Sequence, residues 1–191
     1  GERIKITVVG SGYVGMSLAV LLAQHNEVTV LDVDSKRVER INNMQSTISD
    51  PEIEEFLLTK ELNLSATLDR ESAYENAKFV IVATPTNYDV DTSRFDTESV
   101  DSVVADALKL NSKAQIVIKS TIPVGHSSML QAKFNTKRLF FSPEFLREGR
   151  ALHDNLFPSR IIVGSMMKAG REFAELLMQG AEKKDIEVLQ I

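Results

Sequence analysis

Gly10–Gly15 spells G-x-G-x-x-G at the junction between a predicted strand and a predicted helix. The apolar, β-branched run Ile4–Val9 precedes this motif, and residues 13–24 are mostly apolar and small, as in a buried helix. A strand, a tight turn and a helix in this order predict the first unit of a parallel α/β sheet.

The motif also predicts a dinucleotide site, because its glycines meet separate requirements. Gly10 permits the tight turn, Gly12 lets a diphosphate approach the backbone, and Gly15 lets the helix pack close to the strand. The unpaired N–H groups of the helix N-terminus attract the diphosphate. The alternative is an ordinary glycine-rich turn.

Asp32 ends the next predicted strand, about 20 residues farther on, where such sites carry an acid for the adenosine ribose hydroxyls. An acid at this position repels a 2′-phosphate, so we expect the cofactor to be NAD. Arg37 is evidence for NADP instead, because NADP enzymes use a nearby arginine to bind that phosphate. The alternative for Asp32 is an ordinary strand-end aspartate.

Strand and helix patterns alternate along the rest of the chain. Ser35 is the expected N-cap of a helix over 35–42, Asp50 caps a helix that begins at Pro51, and 87–96 reads as a surface loop. Further strands are expected at 27–31, 64–68, 79–83, 115–119, 138–141, 161–164 and 186–191, and further helices at 69–76, 97–110, after 125 and at 169–183. The alternation predicts a Rossmann-type α/β fold, a doubly wound, mostly parallel sheet with helices on both faces.

Composition limits the classes of partner. The formal net charge of −5, with 22 basic residues spread along the chain, argues against nucleic acid. No apolar run approaches the ~20 residues that span a bilayer, and the chain passes directly into a strand pattern without a signal peptide, so we expect a cytoplasmic protein with no membrane partner. The absence of cysteine excludes a thiol nucleophile within these residues, and His25, His126 and His153 show no metal-ligand spacing.

Three predicted strands end in hydroxyl-bearing residues: Thr84-Pro85-Thr86, Ser120-Thr121 and Ser142-Pro143-Glu144. Each alone is typical of a turn with a local side-chain cap. Because ligands gather at the carboxyl ends of parallel strands, three such ends together predict a cleft.

Two carboxylates and a guanidinium follow the last of these strands, within Glu144–Gly149. A helical turn would place Glu144 and Glu148 on one side, where they handle protons or orient a sugar. The alternative is a solvated helix start with an internal Glu–Arg pair. Arg160, beside an apolar run, predicts a buried ion pair or a phosphate contact, and His126 is expected to be a surface side chain.

These motifs together resemble the UDP-glucose/GDP-mannose dehydrogenase family over nearly the whole chain. The segments that carry the resemblance are Gly10–Gly15, Ala83–Thr86, Lys119–Gly125, Ser142–Gly149 and Pro158–Gly164. The resemblance implies NAD-dependent oxidation of the 6-hydroxyl of a sugar nucleotide to a carboxylate, in two steps through a cysteine-bound intermediate. The short acidic loop at 87–89 favours UDP-glucose as the substrate. A GDP-mannose or UDP-N-acetyl-hexosamine substrate, or a non-catalytic NAD-binding module, are the alternatives.

The resemblance also assigns roles to individual residues. The catalytic residues would be Thr121 and Glu148, which hold a water for proton transfer, together with Glu144. The sugar-nucleotide segment would be Glu144, Phe145, Leu146, Arg147 and Glu148. The NAD site would consist of Gly10, Gly12, Tyr13, Val14, Gly15, Asp32, Arg37, Thr84, Thr86, Thr121 and Glu148.

The family's nucleophilic cysteine, an active-site lysine and asparagine, a central helix and a second, UDP-binding domain all fall after residue 191 by this resemblance. We therefore expect residues 1–191 to form one NAD-binding, amino-terminal domain that is inactive alone. The parent enzyme is expected to be a homodimer through its central region. The apolar final strand, with no polar tail behind it, also suggests part of a longer chain.

Overall fold

The computed structural model describes residues 3–191. Its strands are β1 (Lys5–Val9), β2 (Glu27–Leu31), β3 (Leu64–Thr67), β4 (Phe79–Val82), β5 (Asn87–Asp89), β6 (Arg94–Asp96), β7 (Gln115–Ile118), β8 (Leu139–Phe141), β9 (Arg160–Val163) and β10 (Glu187–Gln190). Its helices are α1 (Tyr13–Ala23), α2 (Ser35–Asn42), α3 (Pro51–Thr59), α4 (Arg70–Tyr74), α5 (Glu98–Leu110), α6 (His126–Lys133), α7 (Ala151–Leu156) and α8 (Lys168–Gly180).

The central sheet has six strands in the order β3-β2-β1-β4-β7-β8, and every neighbouring pair is parallel. The order reverses between β1 and β4, and a ligand crevice opens beyond the carboxyl ends of the strands at such a reversal. The predicted Rossmann-type fold is confirmed.

Side-chain alternation along the strands builds a separate core on each face of the sheet. On β4, Phe79 and Ile81 join the core that contains α1, α7 and α8, whereas Val80 and Val82 join the core that contains α4, α5 and α6. All four side chains have no solvent exposure. This strand is therefore buried on both faces, and helices cover both faces of the sheet, as predicted.

The last two strands form a separate parallel pair, β9 with β10. This pair is fixed beside the end of β8, because the Gly164 N–H donates to the Phe141 carbonyl at 2.7 Å and the Ser142 hydroxyl donates to the Ile162 carbonyl at 2.7 Å. The chain after Ser142 therefore leaves the central sheet, and β9 brings it back beside the end of β8. Within residues 3–191, no helix is long and apolar enough to cross a membrane.

The helix-start predictions have mixed outcomes. Asp50 caps α3 as predicted, accepting from the N–H groups of Glu52 and Ile53, with Pro51 in the first turn. The prediction of Ser35 as the cap of α2 is wrong. Asp34 has the extended backbone of an N-cap, and its carboxylate accepts from Lys36 N at 2.9 Å and from Arg37 N at 3.4 Å.

The predicted loop at 87–96 is an antiparallel hairpin formed by β5 and β6. Tyr88 pairs with Phe95 across the strands, with ring centroids 5.1 Å apart. Asp89 Oδ1 accepts from the N–H groups of Asp91 and Thr92, as an acid in a turn does. The segment is exposed as predicted, but an aromatic cross-strand pair organises it into strands.

Candidate functional site

The glycine turn has the geometry that its motif requires. Gly10 has φ +99°, and a Cβ atom there would lie 2.6 Å from the Ala83 carbonyl oxygen. A Cβ atom on Gly15 would overlap the Gly10 carbonyl oxygen, whereas nothing lies within 4 Å of one built on Gly12. Gly12 is also the N-cap of α1, with no side-chain cap on the helix. The open space at Gly12, next to unpaired helix N–H groups, fits a diphosphate.

Asp32 lies beside this turn and is hydrogen-bonded to it. The Ser11 hydroxyl donates to Asp32 Oδ2 at 2.6 Å, and the Asp34 N–H donates to Asp32 Oδ1 at 2.9 Å. Arg37 donates from Nη1 to the Ser11 carbonyl at 2.9 Å. The acid and the arginine are therefore both held at the edge of the turn. The next side chain, Val33, is 98% exposed, an apolar surface at the same edge that sequence reasoning missed.

Two of the three hydroxyl-bearing strand ends are joined by hydrogen bonds. The Thr86 hydroxyl donates to the Thr121 carbonyl at 2.7 Å, and the Ser120 hydroxyl donates to the Thr84 carbonyl at 2.6 Å. The ends of β4 and β7 therefore form one rim of the predicted cleft. Ser142 is fully buried, and its hydroxyl holds β9 instead.

Residues 144–149 are not helical, so the predicted helical turn is wrong. Glu144 Oε2 accepts from the Leu146 N–H at 2.7 Å, which closes a local turn. The alternative, an internal Glu–Arg pair, does not form either, because Arg147 pairs with Asp154 of α7 at 2.7 Å and its own N–H donates to that carboxylate at 2.9 Å. This hydrogen-bonded pair lowers the pKa of Asp154 and raises that of Arg147.

The glycine turn and the segment after β8 lie close to each other. Burial raises the pKa of Tyr13, and the negative charges of Glu144 and Glu148 raise it further, because they disfavour a phenolate nearby. Tyr13 is the first residue of α1, directly after Gly12. The two carboxylates predicted for chemistry are thus near the predicted diphosphate site, at the carboxyl edge of the sheet.

A buried lysine lies under this segment, and sequence reasoning assigned it no role. Lys119 follows β7 and is only 7% exposed, and burial lowers its pKa to about 8, against the opposing effect of Glu144. Its Nζ donates to the Pro143 carbonyl at 3.4 Å and lies 5.7 Å from the centroid of the Phe173 ring. In the sequence Lys119 only follows the apolar run Ile116–Ile118, which does not by itself indicate a buried amine.

A cavity of about 280 Å³ separates the segment at 143–147 from the chain around β9. Lys119, Glu144 and Arg160 are among its lining residues. Arg160 is exposed, so the predicted buried ion pair is wrong. His126 is not a surface side chain either, since it is 9% exposed and lies 2.6 Å from Asp101 Oδ1.

Residues 4–180 match the family model for the NAD-binding domain of UDP-glucose/GDP-mannose dehydrogenases. The chain belongs to this family. The matched region includes the glycine turn, Asp32 and the segment after β8. The predicted cofactor, NAD, is confirmed by the family assignment.

Curated relatives agree with this assignment. The chain is 52% identical over 194 residues to a UDP-glucose 6-dehydrogenase of Streptococcus pneumoniae, a match that covers 98% of this chain and 49% of the relative. It is 43% identical over 187 residues to a UDP-glucose 6-dehydrogenase of Campylobacter jejuni, a match that covers 97% of this chain and 48% of that relative. The chain therefore spans about half the length of these relatives.

Solved structures share the fold. A UDP-glucose dehydrogenase from Pyrobaculum islandicum superposes with a TM-score of 0.84 at 26% identity, covering 100% of this chain and 46% of that one. A GDP-mannose dehydrogenase from Pseudomonas aeruginosa superposes with a TM-score of 0.82 at 24% identity, and the match covers 97% of this chain and 45% of that one. The second likeness concerns the fold alone.

Proposed function

We propose that this chain is the NAD-binding half of an enzyme that oxidises UDP-glucose to UDP-glucuronate. The observation that carries the proposal is the arrangement at the carboxyl edge of the sheet. The open space at Gly12 lies at the start of α1, and the chain that carries Glu144 and Glu148 is joined to α1 through α7, where the Asn155 side-chain N–H donates to the Ser17 hydroxyl at 3.1 Å. The UDP-glucose 6-dehydrogenases among the relatives support the choice of substrate.

The residues fit NAD. The diphosphate would lie over Gly12 against the N-terminus of α1, and Asp32 would accept from the adenosine ribose hydroxyls, with Val33 as an apolar neighbour of the adenine. Gly10 and Gly15 keep strand and helix close enough to form this site, and Tyr13, Val14, Arg37, Thr84 and Thr86 complete it. When bound, NAD supplies the hydride acceptor.

Thr121 and Glu148 would hold the water that takes part in proton transfer, with Glu148 as the general acid/base and Glu144 beside it. The exposure of Thr121 and Glu148 supports this role, because both side chains remain accessible at the site. Thr86 positions the Thr121 backbone through their hydrogen bond. Phe145, Leu146 and Arg147 would contact the sugar nucleotide together with the two glutamates.

The first oxidation removes a hydride from C6 of the sugar and a proton from its hydroxyl, which gives an aldehyde. A thiol adds to this aldehyde to form a thiohemiacetal. The second oxidation removes the remaining hydride from C6 and the proton of the thiohemiacetal hydroxyl, and water hydrolyses the resulting thioester to the carboxylate and releases the thiol. The thiol for this chemistry would come from the other half of the parent enzyme, because residues 1–191 contain no cysteine. We propose accordingly that 1–191 is one NAD-binding domain, that the parent is a cytoplasmic homodimer, and that this chain alone does not complete the reaction.

The test uses the full-length protein that contains this chain, with NAD and one sugar nucleotide at a time. Two NADH formed per UDP-glucose, with UDP-glucuronate as the product, is the expected result. Turnover of GDP-mannose or of a UDP-N-acetyl-hexosamine with no turnover of UDP-glucose would show that the substrate is that sugar nucleotide and not UDP-glucose. No turnover of any of them, with NAD still bound, would favour a non-catalytic module.

The same assay tests the acid/base role. Glu148→Gln should lower kcat by roughly 10²- to 10⁴-fold, the usual contribution of a general acid/base. Glu182→Gln, at an exposed glutamate away from the site, is the matched control and should leave kcat unchanged. Equal activity of the two variants contradicts the role.

A further inference from the structure

Asp50 is a fully buried carboxylate that binds two different helices. Its Oδ1 accepts from Glu52 N at 3.1 Å and from Ile53 N at 3.2 Å, in the first turn of α3. Its Oδ2 accepts from Leu152 N of α7 at 3.3 Å. One carboxylate thus caps its own helix and a helix about a hundred residues farther along the chain.

Helix α7 depends on this distant acid, because its own N-cap residue, Arg150, makes no side-chain hydrogen bond to it. Neighbouring side chains join the same two helices. Glu52 Oε1 lies 3.1 Å from His153 Nδ1 and 3.9 Å from Arg150 Nη2. The buried carboxylate is the member of this group that water does not screen.

The segment at 144–149 leads directly into α7. It has no regular structure, so side chains must define its course. Arg147 is bound to Asp154 of α7, and Gly149 reaches the helix through a left-handed backbone with φ +86°. A shift of α7 would therefore move Arg147, and Glu148 with it.

We propose that Asp50 is a positioning residue for substrate, which acts by fixing α7 and thereby the segment at 144–149. Among residues 3–191, the Asp50 side chain makes no hydrogen bond to a residue assigned to NAD, and its three donors are all backbone N–H groups. The role rests on the proposed function for the identity of the substrate.

The substitution Asp50→Asn separates the two caps. The side-chain oxygen of asparagine can still accept from α3, since asparagine is as good an N-cap as aspartate. Its amide nitrogen carries only donors, so it cannot accept from Leu152 N. The substitution should therefore release α7 and leave α3 capped. Asp69→Asn is the matched control, because Asp69 caps only α4 through Glu71 N at 3.2 Å.

The first measurement is hydrogen–deuterium exchange on this chain. Asp50→Asn should speed exchange of the amides at 145–152 by about tenfold, the effect of one hydrogen bond to a charged group, while the first turn of α3 keeps its protection. Asp69→Asn should leave 145–152 unchanged. Unchanged exchange in Asp50→Asn overturns the proposal whatever the substrate is.

The second measurement is steady-state kinetics on the full-length protein. Asp50→Asn should raise the KM for UDP-glucose about tenfold and leave the KM for NAD unchanged, whereas a general loss of folded enzyme would lower kcat alone. Faster exchange at 145–152 with an unaltered KM for UDP-glucose overturns the link to substrate. A wild-type protein that does not oxidise UDP-glucose contradicts the proposed function, and KM is then measured with the sugar nucleotide that is oxidised.

Discussion

Gly12 and Gly15 are three residues apart, yet their surroundings differ. A side chain at Gly15 would meet the backbone carbonyl of Gly10, whereas a side chain at Gly12 would point into open space. Glycine is therefore required at position 15 for the chain to fold, whereas at position 12 it leaves room for the diphosphate of NAD. The motif alone predicts both glycines, and the structure separates their reasons.

Alanine at each position should separate binding from folding. Gly12→Ala should change the free energy of unfolding by no more than about 1 kcal/mol, but weaken NAD binding about tenfold or more, because its methyl group occupies the diphosphate position. Gly15→Ala should lower the free energy of unfolding by about 3 kcal/mol or more, because the backbone must move to admit the methyl group. Urea unfolding and calorimetry measure the two effects. Equal stability of the two variants would contradict this assignment.

Lys119 makes stability depend on pH in a predictable direction. Burial lowers its pKa in the folded chain to about 8, below the ordinary lysine value of 10.5, so between these values the unfolded chain binds more protons. Stability from this group therefore rises with pH across that window, by on the order of 2 kcal/mol between about pH 7.5 and 9.5.

Urea unfolding of wild type and Lys119→Met at both pH values checks this effect. The free energy of unfolding of wild type minus that of Lys119→Met should rise with pH, because only the wild type carries a buried amine that loses its charge in this window. A constant difference would show that Lys119 keeps an ordinary pKa.

At the scale of elements, period and cap signals predicted the six strands of the central sheet to within one residue at each end. The helix predicted at 169–183 ends three residues beyond α8, and α7 was not predicted. These signals depend on neighbours in the sequence. The hairpin at 87–96 depends on Tyr88 meeting Phe95, and the course of 144–149 depends on Asp50 and Asp154. Sequence reasoning missed them because the partners that decide each structure meet only after folding.

The cap of α2 offers a test at the same scale. Asp34→Ala should lower the free energy of unfolding by about 1 kcal/mol, because two N–H groups of the first turn lose their acceptor. Ser35→Ala should change it by less than about 0.5 kcal/mol, as expected for an exposed residue that caps nothing. Chemical denaturation of both variants measures this, and the reverse ranking would restore Ser35 as the cap.

At the scale of the whole molecule, the sheet order brings together residues that are far apart in the sequence. The turn at Gly10–Gly15 and the acid at Asp32 lie near the start of the chain, and the segment at 144–149 follows β8. Because β1 and β4 adjoin at the reversal of strand order, these parts share one edge. The edge was predictable from the alternation of elements, whereas the buried Lys119 and the cavity beside it were not.

The central claim is that this chain itself carries an NAD site. Calorimetric titration of NAD into the folded chain, with NADP and an Asp32→Asn variant as comparisons, tests it most directly. We expect saturable NAD binding, weaker NADP binding because Asp32 repels the 2′-phosphate, and loss of that preference in the variant. A folded chain that binds neither nucleotide, or binds both equally well, would contradict the claim.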